Sequence, residues 1–152
     1  MMGTPDLDDL YREIILDHYR NPRNTGLLAG PDLQAEGFNP FCGDRVVLTL
    51  ALDSGGGIER VGFEGEGCSI SQASASIMTE LLKGKSVGEA HGLNAAFRAL
   101  MADAELPHGH SADDLGELTA LEGVKRFPVR IKCALLPWAT LQDALAQGSH
   151  TP

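Results

Sequence analysis

The stretch Arg45-Val46-Val47-Leu48-Thr49-Leu50-Ala51-Leu52-Asp53-Ser54-Gly55-Gly56-Gly57-Ile58-Glu59-Arg60-Val61-Gly62-Phe63-Glu64 decides the fold. Val46, Leu48, Leu50 and Leu52 lie on one face, against Arg45, Thr49 and Asp53 on the other, as a half-buried strand requires. Ser54 to Gly57 supplies a turn, and Ile58 to Glu64 places Val61 and Phe63 on one face of a second strand. The segment therefore reads as an antiparallel hairpin. Leu33 to Phe38 is expected to add an edge strand. Cys42 falls just before the hairpin and Cys68 just after it, so antiparallel pairing brings the two thiols to the same end of the sheet.

Outward from the hairpin the signals turn helical. Thr4-Pro5 offers a capping hydroxyl and a first-turn proline, and Leu7, Leu10, Tyr11, Ile14 and His18 follow a helical period to about Tyr19. Asn21 through Pro31 reads as loop. After Cys68, Ser69 and Ser71 offer caps for a helix through Ile70, Ala73, Ile77, Met78 and Leu81 that ends at Lys83-Gly84. This places Cys68 near a helix N-terminus, where the dipole favours thiolate. Ser86 begins a further helix through Leu93, Phe97 and Met101, and a loop around Leu106 to Ser111 ends it. Asp114 to Val124 reads as one or two short helical turns, and Ala134 to Ala146 as a closing helix with Cys133 at or just before its start. The expected fold class is α+β, a small antiparallel sheet of about three strands packed against helices, as a single domain over residues 1–152.

With 152 residues the chain buries a sufficient core without disulfides, so its three cysteines are free for chemistry. Their odd number, and an acidic N-terminal stretch without an apolar h-region, point away from secretion and towards a reducing cytoplasm. No apolar run approaches the roughly 20 residues a membrane span needs, so no membrane role is expected. A formal net charge of −9 opposes binding to nucleic acid, whose affinity rests on cationic contacts.

Cys42, Cys68 and Cys133, with the neighbouring carboxylate of Asp44, make four donors. That set suits a tetrahedral Zn²⁺ site or a small iron-sulfur cluster. Gly43 permits a tight turn between Cys42 and Asp44, and Gly65 and Gly67 permit close backbone approach. Lys132 and Arg130 flank Cys133 and would favour its thiolate; with Arg45 they would also offset the negative charge of a metal-thiolate centre. His18, on the apolar face of the first helix, reads as a hydrogen-bonded core histidine. His108 and His110 read as solvated loop residues, and Trp138, Met78 and Met101 as core. The absence of any CxxC pair disfavours a thiol redox enzyme.

Four segments carry a family resemblance: Tyr11-Arg12-Glu13-Ile14-Ile15-Leu16-Asp17-His18-Tyr19-Arg20-Asn21-Pro22-Arg23-Asn24, Asn39-Pro40 with Cys42-Gly43-Asp44, Phe63-Glu64-Gly65-Glu66-Gly67-Cys68-Ser69-Ile70-Ser71, and Arg130-Ile131-Lys132-Cys133-Ala134. They resemble the IscU-like (NifU N-terminal-like) family of iron-sulfur cluster assembly proteins, most closely its SufU branch. Lys132 stands where the IscU scaffolds carry a histidine, and the interval from Cys68 to Cys133 is longer than theirs. The resemblance implies a SufE/IscU-like fold, and zinc held by Cys42, Asp44, Cys68 and Cys133. It also implies a sulfurtransferase in which Cys42 accepts persulfide sulfur from a SufS-type cysteine desulfurase and serves downstream iron-sulfur scaffold proteins. The alternatives it leaves are a scaffold carrying a transient [2Fe-2S] cluster on the same ligands, and a purely structural zinc site.

Overall fold

The computed structural model describes residues 7–40, 42–107 and 109–148. Its elements, in chain order, are α1 (Leu7–Arg20), β1 (Leu33–Asn39), β2 (Asp44–Leu52), β3 (Ile58–Glu66), α2 (Ser69–Leu82), α3 (Val87–Met101), a 3₁₀ segment (Ala112–Arg126) and α4 (Pro128–Gly148). The three strands form one antiparallel sheet in the order β1-β2-β3. Leu48 pairs with Ala35 on one side and Phe63 on the other. The fold is therefore the α+β arrangement expected, with β1 at an edge. The cap expected at Thr4-Pro5 lies outside the described residues.

Burial of β2 exceeds the expectation of a half-buried strand. Val46, Leu48 and Leu50 are fully buried, and so are Val47, Thr49 and Ala51 on the opposite face. The cause is the stretch after α1, which folds back on the sheet. Asn24 and Gly26 bond the backbone of Phe63, occupying the outer edge of β3. Leu28 N–H donates to Thr49 Oγ1 at 3.1 Å, and that hydroxyl donates to the Gly62 carbonyl at 2.8 Å. A polar residue predicted to face water is instead satisfied inside a backbone network, as burial requires.

The helices cover the other face. Trp138, Leu141 and Leu145 of α4, Ile77, Met78 and Leu82 of α2, and Phe97 and Met101 of α3 join Leu48, Leu50, Val61 and Phe63 in the core. Phe97 and Trp138 pack with ring centroids 5.4 Å apart. α3 begins after Ser86, as its sequence signals, and opens on a capping box between Ser86 and Glu89. α2 differs: its N-cap is Cys68, with no side-chain cap hydrogen bond, and Ser69 and Ser71 lie within the helix. α4 also starts earlier than expected, because Pro128 occupies the first helical position, where a missing N–H costs nothing. Cys133 consequently sits in the second turn of α4 rather than at its start.

The 3₁₀ segment, read as one or two short turns, supplies Leu115, Leu118 and Leu121 to the core, all fully buried. Gly116, at φ 52°, separates its two halves. His18 is 1% exposed, as expected of a core histidine. Its Nδ1 lies 2.8 Å from Ser76 Oγ and its Nε2 3.1 Å from Glu117 Oε1. The Glu117 carboxylate can only accept, so His18 Nε2–H donates to it, and the Nδ1 of the neutral ring accepts from the Ser76 hydroxyl, which also receives Arg23 N–H. This chain ties α1 and α2 to the 3₁₀ segment. Replacing His18 with Ala is expected to cost about 2–4 kcal/mol, combining lost packing with unpaired polar groups, whereas Glu117→Gln should cost under about 1 kcal/mol because that side chain is half exposed. Urea titrations of the two variants give the comparison.

β1 meets α4 through Gly37, where an added Cβ would overlap Thr140 Oγ1 and press on Leu136. Gly37→Ala should therefore destabilise the protein by about 1–3 kcal/mol. Adding Thr140→Ala should recover part of that loss, and a double-mutant cycle with no coupling would contradict this contact.

Candidate metal centre

The loop between β1 and β2 is short because Asn39 pairs directly with Asp44 in the strand register. Cys42 N–H donates back to the Asn39 carbonyl at 3.3 Å, and Gly43 takes φ 69°, a left-handed turn open to glycine. This turn presents Cys42 half-buried at the end of the sheet and turns Asp44 inward, where it is 1% exposed. Arg45 pairs with Glu66 on β3, which carries the chain straight on to Gly67 and Cys68. At Gly67, φ 137°, an added Cβ would run into the side chain and backbone of Asp44. Glycine is required there by both conformation and space.

Asp44 Oδ1 accepts the backbone N–H of Cys68 at 2.8 Å, setting a carboxylate at the N-terminus of α2, where the helix dipole favours it. Cys68 Sγ lies 3.8 Å from Asp44 Oδ2 and 3.9 Å from Ser71 Oγ. From the other side α4 brings Cys133, fully buried, with its Sγ 3.1 Å from Cys42 Sγ. Donor atoms of Cys42, Asp44 and Cys133 all lie within 4.8 Å of one another. Cys68 lies outside this triad and borders it through Asp44, its Sγ beside Oδ2 and its N–H on Oδ1. Four residues from three distant stretches thus converge at one end of the sheet.

The electrostatics differ from those read off the neighbouring residues. Lys132 and Arg130 lie exposed on α4, whereas Cys133 faces the interior. Burial pushes the Cys133 thiol well above the ordinary thiol range, and hydrogen bonds with Cys42, Asp44 and Cys68 push it the same way. Arg45 is engaged by Glu36, with Nε 2.5 Å from Oε2. A cation in the site itself is what would favour the Cys133 thiolate, and the donor set fits one: three sulfurs and a carboxylate oxygen, two of the four donors fully enclosed.

Two openings flank the cluster. One, of about 350 Å³, runs between α1 and the start of α4 and is lined by Tyr11, Ile15, Ile70, Val124, Phe127 and Arg130. The other lies over Arg45, Gly65, Glu66, Gly67 and Gln72. The sequence-predicted donors are all found here, whereas two polar contacts of the sulfurs carried no earlier role. Asn39 Nδ2 lies 3.6 Å from Cys133 Sγ, and Ser71 Oγ approaches Cys68 while donating to its carbonyl at 3.1 Å. The Asn39-Pro40 pair just before Cys42 was the available signal for the first. His110 remains apart from the cluster, and His108 lies outside the described residues.

Residues 10–134 match the model of the NifU-like N terminal domain. The chain is 47% identical to the zinc-dependent sulfurtransferase SufU of Bacillus subtilis, over 97% of each protein. It is 38% identical to the iron-sulfur cluster assembly scaffold protein IscU of Streptococcus pyogenes, over 98% of this chain and 91% of that one. Among solved structures, a putative iron-sulfur cluster assembly scaffold protein for the SUF system from Fervidobacterium islandicum superposes with a TM-score of 0.81 at 38% identity, covering 88% of this chain and 94% of that chain. By sequence, by fold and by the segments that carry its cysteines, the chain belongs to the NifU-like N-terminal domain family, the IscU-like family its motifs resemble, and it shares more of its residues with that SufU than with that IscU.

Proposed function

We propose that this protein is a zinc-dependent sulfurtransferase of iron-sulfur cluster assembly, a single domain that works in the cytoplasm. The observation that carries the reading is the convergence of Cys42, Asp44 and Cys133 with Cys68 at the sheet end. The relative named a zinc-dependent sulfurtransferase, similar over nearly the whole length, supports it. Zinc bound there would supply a positive charge that keeps sulfur as thiolate and shields it from oxidation, without redox chemistry of its own.

The chain's residues then divide the work by their placement. Asp44 is enclosed, and its carboxylate is tied to the Cys68 backbone. Cys133 is enclosed within a helix turn. Cys42 and Cys68 are both half-buried, but Cys68 is fixed as the N-cap of α2, whereas Cys42 is carried on the short loop before β2 and is the sulfur that can turn towards a docked partner. In the transfer, Cys42 thiolate attacks the outer sulfur of a cysteine desulfurase's persulfide. A new S–S bond forms on Cys42 as the desulfurase's S–S bond breaks, and the electron pair leaves on the desulfurase cysteine. A thiolate of a downstream iron-sulfur scaffold protein then attacks that outer sulfur, a new S–S bond forms on the scaffold as the Cys42 S–S bond breaks, and Cys42 leaves as thiolate. Among the described residues no helix is long and apolar enough to cross a membrane, and the −9 charge opposes binding to nucleic acid.

Purified protein should be colourless and carry about one zinc per chain. A brown protein with visible absorption would favour the cluster-carrying alternative. Chelation of the metal should lower the thermal midpoint by roughly 10 °C or more, given about 2–4 °C per kcal/mol for a chain of this size and a metal that contributes several kcal/mol. Scanning calorimetry before and after zinc is restored measures this.

Cys42→Ala should retain zinc on the remaining donors, bound more weakly. It should fall at least about 100-fold in sulfur acceptance when incubated with a cysteine desulfurase and ³⁵S-cysteine, and fail to stimulate that enzyme's turnover, since the variant lacks the attacking atom. Normal labelling of the variant would remove Cys42 from the role.

A further inference from the structure

Asn39 touches three of the four donors. Its backbone is the register partner of Asp44, its carbonyl accepts the N–H of Cys42 at 3.3 Å, and its side-chain Nδ2 lies 3.6 Å from the Sγ of Cys133, 94 residues away. It is 6% exposed, at the end of β1. We propose that Asn39 is a positioning residue of the metal centre: its amide donates an N–H···S hydrogen bond that keeps Cys133 in the ligand set when Cys42 is released. The inference rests on the reading that Cys42, Asp44, Cys68 and Cys133 hold a metal ion.

The physical case is one of asymmetry between two sulfurs 3.1 Å apart. Cys133 is enclosed in the second turn of α4, and an amide N–H reaches it. Cys42 is half-buried on a short loop. An N–H donor stabilises a thiolate more than a thiol, lowers the energy of the sulfur lone pair and fixes the direction in which the sulfur points. Asparagine does this without adding a charge that would compete with the cation. Because Asn39 also receives the Cys42 N–H on its carbonyl, one residue holds the loop that presents the mobile sulfur and the sulfur that stays.

The test uses Co²⁺ in place of Zn²⁺ in the full chain, since cobalt reports its sulfur ligands by a charge-transfer band. Asn39→Ala removes the donor, and Asn39→Leu keeps the volume while removing the donor and adding no charge, so a variant that fails to fold leaves the other to be read. Metal-free variants with wild-type circular dichroism should bind cobalt about 10–100-fold more weakly than wild type. Once saturated, they should show the sulfur-to-cobalt band at lower energy, because the lone pair is no longer stabilised by the N–H. A purely structural role for Asn39 would not move that band. A band at the wild-type position, or at higher energy, overturns the role of Asn39 whatever the affinity. Wild-type protein that takes up no cobalt overturns the underlying metal reading, and the inference with it.

Discussion

The backbone N–H of Cys68 donating to the carboxylate of Asp44 is the contact on which the site depends. It joins the first residue of β2 to the N-cap of α2, so the sheet end and the helix start become one corner. The carboxylate is enclosed there, where leaving it unpaired would cost several kcal/mol, and one of its oxygens takes the Cys68 N–H while the other faces the Cys68 sulfur. Gly67 is the conformational condition for this corner, since any side chain would occupy the space of Asp44.

Around that corner, rigidity is distributed unevenly. Cys68 caps a helix whose inner face is core, and Cys133 lies within α4, which packs on β1 and β2. Cys42 hangs on a loop closed by Gly43. The proposed release of one sulfur from a metal-thiolate centre would suit this division, because Cys42 is the sulfur carried on a loop and not within or capping a helix. Burial also pushes the Cys133 thiol upward, so a bound cation is what would favour its thiolate.

The long interval between Cys68 and Cys133 also acquires a structural meaning. Much of it is α3 and the 3₁₀ segment, and the latter delivers three buried leucines and Glu117, the partner of His18. The segment is part of the core and the brace for α1, beside the groove that opens next to Ser69 and Ile70. Through His18 and Ser76, α1 is registered on the helix that begins at Cys68.

The residues alone determined the hairpin, the edge strand, the start of α3 at Ser86, the core histidine, and the three cysteines and the carboxylate on which the proposed site draws. Each of those is a local signal: a period of two, a cap spacing, or a reactive side chain in a motif. Tertiary structure decided the rest. Thr49 is buried because a loop 21 residues upstream folds over it. Cys133 faces inward, away from Lys132 and Arg130, because α4 begins at Pro128 and its helical phase turns that sulfur to the core. Asn39 reaches a sulfur 94 residues away only because β1 and α4 pack together. Backbone pairing and side-chain chemistry are written in neighbouring residues; which sulfur is enclosed, and what donates to it, depends on packing between segments far apart in the chain, and no local pattern encodes that.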